Sequence, residues 1–201
     1  MGNQACVMSV LAGMELFSGL LSALGLSGAA GLNAYIPLFL VGILANLGLV
    51  QLDQPFDLLG NTWTLLVIFL VGLADFIGDK IPGVDHVLHL VSGWVGAAAG
   101  AILFASQAGV ADLSPALAGV LGLLVAGGIQ TGRAAVRPAT TALTAGVGNP
   151  VVSTVEDGLS LGLSVLALFV PALAALGLLG LLWWSWRLYR RWEQRRHARA
   201  V

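Results

Sequence analysis

Charge is what this sequence has least of. Asp, Glu, Lys and Arg make up only 9% of its 201 residues, against 58% hydrophobic, and the mean hydropathy is +0.92. A soluble domain carries about 25% charged residues, because its surface must be hydrated. A chain this poor in charge cannot cover a water-facing surface, but it can satisfy a lipid-facing one. Strand-like alternation is also missing. A membrane β-barrel needs apolar and polar residues to alternate with period two, whereas here the apolar residues run in long blocks. The lone cysteine, Cys6, excludes an intrachain disulfide and a cysteine-built metal cage. There is no Walker-type phosphate loop, no HExxH and no nucleophile elbow, so no enzyme is read from the motifs.

What is there is an all-α pattern: a polytopic membrane helix bundle, in which each helix satisfies its own backbone hydrogen bonds. A crossing helix needs roughly 17 to 25 apolar residues. On that measure the sequence predicts seven transmembrane helices, near 8–26, 33–50, 62–80, 84–107, 115–137, 150–169 and 171–190. Ser27 to Gly31 is expected to separate the first two. Met1 to Gly13 has no basic n-region and Glu15 interrupts the apolar run, so this stretch reads as a retained helix rather than a signal peptide. Pro138 is expected to stop the fifth helix, leaving 138–150 as a broken or re-entrant segment. The whole is one transmembrane domain over 1–192 with a basic tail at 193–201.

Basic residues set the orientation. Arg187, Arg190, Arg191, Arg195, Arg196 and Arg199 follow the aromatic Trp183-Trp184-Ser185-Trp186, which places the tail in the cytoplasm of a bacterial inner membrane. Counting back puts Lys80, Arg133 and Arg137 at the cytoplasmic ends of helices 3 and 5, and Asp53, Asp57 and Asp112 in outer loops. The N-terminus is then outside. The tail suits anionic lipid rather than nucleic acid.

Glycine is abundant, at 27 residues, and is spaced for close helix packing at Gly93, Gly96 and Gly100, at Gly119 and Gly122, and at Gly158 and Gly162. The small size and these small-residue faces lead to the expectation of a homodimer. Leu26 to Asn33 also echoes Leu143 to Asn149, each ending in Asn before an apolar helix. Paired, glycine-interrupted segments of this kind point to a transporter's binding site.

Three clusters carry chemistry. Asp75 and Asp79 stand four apart on one helical face, and Asp85, His86 and His89 open the next helix across the Ile81-Pro82-Gly83 turn. Two carboxylates near two imidazoles suit a divalent metal ion or a proton relay; the alternative is a hydrated helix end. Arg133 and Arg137 repeat the spacing with opposite sign. They either pair with those acids or form an anion site with Thr140, Thr141, Thr144 and the backbone near Asn149. Glu156 and Asp157 lie inside helix 6, where an acid must face the bundle interior, protonated or paired with Arg133 or Arg137. Adjacent residues diverge by about 100° around a helix, so at most one of the two is expected to face a shared cavity.

The runs Gly31-Leu32-Asn33-Ala34-Tyr35-Ile36-Pro37, Gly78-Asp79-Lys80-Ile81-Pro82-Gly83-Val84-Asp85-His86, and Arg137-Pro138-Ala139-Thr140-Thr141 through Asn149-Pro150 to Glu156-Asp157 resemble a family of small bacterial integral membrane proteins carried as a domain of unknown function. The resemblance covers nearly the whole chain and implies a membrane protein, with no activity attached. Locally, Asp75 to Lys80 is similar to the Gly-Asp-Lys signature of manganese/calcium–proton exchangers. It departs from that signature in having Asp three before the Gly and Ile after the Lys, and it implies cation chemistry at most.

Three readings follow. In the first the chain is a small transporter or channel for a cation or proton-coupled solute, using Asp75, Asp79, His86, His89, Glu156 and Asp157, framed by helix breaks at Asn33 and Asn149. In the second it binds or translocates an anionic lipid or solute through Arg133 and Arg137. In the third it is a structural membrane protein whose acids and bases cancel.

Overall fold

A computed structural model describes residues 2–78, 85–107, 113–144 and 148–199, with backbone alone at 2–10, 85–91, 136–140, 142–143, 185, 188–189 and 192–199. Seven α-helices follow one another: α1 (Gly2–Leu32), α2 (Tyr35–Asn46), α3 (Thr62–Gly78), α4 (Asp85–Ala105), α5 (Pro115–Thr144), α6 (Asn149–Phe169) and α7 (Pro171–Arg199), with a 3₁₀ turn at Phe56–Gly60. No strand occurs among the described residues. Leu11–Leu32, Pro115–Ala135 and Asn149–Phe169 are long and apolar enough to cross a membrane, and Tyr35–Asn46, Thr62–Gly78, Ser92–Ala105 and Pro171–Trp184 are shorter apolar helices. Large apolar side chains such as Trp63, Trp94, Leu124 and Phe169 point outward, as they do when the surrounding solvent is hydrocarbon.

The second half of α1 is the axis of the bundle. It packs against α4, α5, α6 and α7, and Ala23, Leu26, Ser27 and Ala29 are fully buried. Ser27 to Gly31 therefore does not separate two helices. Its small side chains instead let several helices reach the α1 backbone at once, which is how membrane helices pack when lipid and core are equally apolar. Hydroxyls join the small residues. Ser27 Oγ donates to Gly100 O of α4 at 2.8 Å, and Ser22 Oγ donates to Gln107 Oε1 at 3.0 Å.

Neighbouring helices alternate in direction. Between α2 and α3 the contacts run Tyr35 on Gly72, Phe39 on Phe69 and Gly42 on Leu65, an antiparallel register. Between α4 and α5 they run Gly96 beside Gln130 and Gly100 against Gly122 and Ala126. A Cβ on Gly100 would lie 2.9 Å from Gly122 O, so glycine is what allows these two backbones to touch. Gly119, Gly158 and Gly162, by contrast, face open space. Helices α1 and α7 run parallel, since Gly25 meets Ala174 and Gly28 meets Leu178.

Several expected helix ends move, among them that of α1, which runs to Leu32 rather than stopping near 26. Helix α2 stops at Asn46 rather than near 50, because Gly48, at φ 72, closes a Schellman turn: its N–H reaches Ala45 O at 3.0 Å and Leu49 N–H reaches Leu44 O at 2.9 Å. Helix α5 runs on through Pro138 to Thr144. A proline in a membrane helix is tolerated where neighbouring groups satisfy the freed backbone, so residues 138–144 are the last turns of α5 and not a separate re-entrant piece. Thr144 Oγ1 then accepts from Gly148 N–H at 3.1 Å, just before α6. Arg133 consequently lies well inside α5 and not at its end. The basic tail is also helical, as the last turns of α7.

Candidate functional site

The site begins where α1 breaks. Asn33 N–H still bonds Ala29 O at 2.9 Å, but its side chain starts the next helix: Asn33 Oδ1 accepts from Tyr35 N–H at 2.9 Å and Ile36 N–H at 3.3 Å. These are the orphan donors that a helix start must satisfy, and Pro37 fits the first turn because it needs no acceptor. Other helices also reach the carbonyls at the end of α1. Ser160 Oγ of α6 lies 2.9 Å from Ala29 O and 3.3 Å from Asn33 O. Arg133 Nη1 of α5 donates to Gly31 O at 3.3 Å.

The antiparallel register of α2 and α3 carries Asp75 to this level, one turn beyond the Gly72–Tyr35 contact. Asp75 joins Asn33, Tyr35, Ser92, Gln130 and Arg133 in lining a cavity of about 10 Å³, room for roughly one water molecule. Four helices and the α1–α2 break thus place polar groups around a single small space.

Behind this cavity lies the charge network. Arg133 Nη2 pairs with Glu156 Oε2 at 2.6 Å, with the two side chains 15% and 12% exposed. Arg133 Nη1 also donates to Gln130 Oε1 at 3.0 Å. Arg133 Nε is buried with no hydrogen-bond partner. The neighbouring acid goes to the break itself, where Asn33 Nδ2 donates to Asp157 Oδ1 at 2.8 Å. Neither Glu156 nor Asp157 lines the cavity itself. The two do diverge, but α6 passes between Arg133 on one side and Asn33 on the other, so each finds its own partner in one network.

Of the residues singled out from sequence, Asn33, Asp75, Arg133, Glu156 and Asp157 come together. Asn149 does not. It accepts from Thr141 Oγ1 at 3.1 Å at the start of α6, about 12 Å along the helix from Asp157. The echo between the two Asn segments is therefore not an echo of role: Asn33 caps a helix inside the bundle, while Asn149 ties two helix ends. Asp79 lies outside the described residues. So do the side chains of Asp85, His86 and His89, whose backbone forms the first turns of α4, and that of Arg137. Among the described residues no three His, Cys, Asp or Glu side chains converge as metal ligands.

Gln130, Ser92, Tyr35 and Ser160 belong to the site and were missed. A signal existed for two of them. Gln130 is a lone amide in an apolar run, three before Arg133 and so on its face, and Ser160 lies one turn from Glu156 and Asp157.

The segments that build this geometry fall within a single family signature. The model for a domain of unknown function, DUF4126, matches residues 20–191. The chain belongs to the DUF4126 family. The match takes in the buried half of α1, every described residue of the network, and α7 as far as Arg191, so the site is part of the DUF4126 fold. Neither the curated proteins nor the solved structures yield a match to this chain.

Proposed function

We propose that this DUF4126 protein is a small membrane transporter that moves a cation or a proton-coupled solute through the site at the α1–α2 break. One observation carries the reading: among the described side chains at the site, three carboxylates (Asp75, Glu156 and Asp157) stand with one guanidinium, that of Arg133. Ionisable groups inside a bundle of apolar helices are costly and are kept for pathways of ions and protons. Carboxylates are also the groups that can hold a cation or carry a coupling proton. The break itself supports the reading, since transporter sites form where a spanning helix is interrupted and its polar ends are exposed.

The chain sits in a bacterial inner membrane with its tail in the cytoplasm. Trp183, Trp184 and Trp186 are exposed, as an interfacial belt should be, and the guanidinium carbons of Arg187 and Arg190 lie 5.0 and 4.1 Å from the rings of Trp183 and Trp186. Because α7 and α1 run parallel, the α1–α2 break lies towards the tail, which puts the site in the cytoplasmic half.

The anion reading ranks second. Both terminal nitrogens of Arg133 are already engaged by Gly31 O, Gln130 and Glu156, so an anion would have to displace internal partners. The test is flux into proteoliposomes under imposed Na⁺, K⁺ and proton gradients. Wild type should carry at least one of them, and Asp157→Asn should lose it while still folding. A folded wild-type protein that carries none of the three sinks the reading.

A further inference from the structure

We infer that one face of α7 is a headgroup site for an anionic phospholipid, in which Arg187, Arg190 and Arg191 hold the phosphodiester above a floor of Trp183, Trp184 and Trp186. The site lies apart from the α1–α2 break and is independent of what the chain carries. At about 100° per residue, these six positions fall within an arc of about 160° on α7. The opposite face is the one packed into the bundle, where Ala174 meets Gly25 and Leu178 meets Gly28 of α1. The three indoles are 53, 60 and 52% exposed, and Arg187, Arg190 and Arg191 are exposed beside them. Arg187 stands one turn beyond Trp183 and Arg190 one turn beyond Trp186, each about 6 Å further along the axis. Indoles mark the level where headgroups meet acyl chains, so the guanidinium groups stand at the level of the phosphates.

Charge and geometry both fit a phosphodiester. The guanidinium carbon of Arg187 lies 5.0 Å from the centre of the Trp183 ring, and that of Arg190 lies 4.1 Å from the centre of Trp186. Stacking of this kind uses a face of the guanidinium. Its in-plane N–H groups stay available for an oxyanion, which they bind as a fork. A side chain already held by a ring also loses less freedom when the phosphate arrives. Composition points the same way. A topology anchor needs positive charge alone, which Lys supplies as well as Arg. Yet all six Lys or Arg positions after Trp183 are Arg, the side chain suited both to stacking and to bidentate phosphate contact. The phosphate is that of a lipid, because a soluble anion would use the arginines and gain nothing from three indoles at the membrane interface.

The indoles themselves report the test. Full-length protein carrying Trp63→Phe, Trp94→Phe and Trp192→Phe keeps only the three tryptophans of the patch. It is reconstituted in phosphatidylcholine containing either brominated phosphatidylglycerol or brominated phosphatidylcholine, and quenching of indole emission gives the preference between the two. The anionic lipid should be favoured about fivefold or more, the value of one arginine contact at a membrane surface. In this background Arg187→Gln/Arg190→Gln/Arg191→Gln should bring the preference to about one. Arg195→Gln/Arg196→Gln/Arg199→Gln removes the same charge about 12–18 Å further along the axis from Arg187, and should leave most of the preference in place. An equal fall in both variants would mean diffuse attraction by the tail and would overturn the site. Equal quenching by the two lipids in the parent protein overturns it without any variant. Inorganic phosphate added in excess at constant ionic strength should leave the quenching unchanged. If it restores emission instead, the phosphate bound is a soluble one and the lipid assignment fails.

Discussion

Arg133 of α5 and Glu156 of α6 form a 2.6 Å ion pair across two helices that have few other contacts among the described residues. The pair is mostly buried, so its charges matter more to each other than to solvent. Breaking a buried pair leaves one charge uncompensated, whereas replacing both partners can be nearly neutral. Glu156→Gln should therefore destabilise the protein by about 3 kcal/mol. The double variant Arg133→Gln/Glu156→Gln should recover most of that loss. Reversible unfolding in mixed micelles measures all three, and a double variant as unstable as the sum of the singles would show that the pair is not coupled.

Asn33 does two jobs with one amide, and the two can be separated. Asn33→Ala removes both the cap on α2 and the bond to Asp157, and loss of a cap alone costs about 1 kcal/mol. Asn33→Asp keeps the acceptor for Tyr35 and Ile36 but turns a donor to Asp157 into a second carboxylate. It should be at least as destabilising as Asn33→Ala near neutral pH. Amide exchange at Tyr35 and Ile36 should speed up in Asn33→Ala but stay slow in Asn33→Asp.

The acid at Asp157 and the asparagine at Asn33 were both conspicuous in the sequence, yet their meeting was not. Periodicity and hydropathy locate helices, and the seven here were legible for that reason. They do not say which small-residue stretch is a loop and which is a packing face, so Ser27 to Gly31 read as a separator while it is the most buried part of α1. Pro138 misled in a similar way, because a breaker in water is tolerated where hydrocarbon leaves the backbone no other partner. The pairing of Glu156 with an arginine could be foreseen, since an embedded acid needs one. That Asp157 would also turn inward depended on where α6 sits between α5 and the break, and only tertiary packing sets that.

The glycines divide into those in contact and those in the open, which gives opposite expectations for one substitution. Gly100→Ala would push a methyl group into Ala126 and the Gly122 backbone. Neither neighbour is a flexible side-chain end, so α4 and α5 must separate. A cost of about 2–3 kcal/mol follows, typical of overpacking. Gly162→Ala meets nothing within 4 Å and should be neutral or stabilising by up to about 1 kcal/mol through helix propensity. Apparent melting temperatures of the two variants decide this, and equal shifts would contradict the close approach of α4 and α5.

The alternating directions of the helices fix which loops share a side, and a single labelling experiment reads it. The chain has one cysteine, so Cys6→Ser gives a blank background. Leu49, 71% exposed in the turn after α2, lies at the end of the bundle away from the α1–α2 break. Arg191, at the far end of α7, lies towards that break because α1 and α7 run parallel. An impermeant maleimide applied to intact spheroplasts should therefore label Leu49→Cys, and should label Arg191→Cys only after permeabilisation. The reverse pattern would keep the fold and invert the membrane orientation, moving the Arg133–Glu156 site to the outer half. Labelling of both from the same side would be the more damaging result. It would mean that α7 does not run parallel to α1, and the helix directions that bring Asp75, Arg133 and Asp157 to one level would have to be given up.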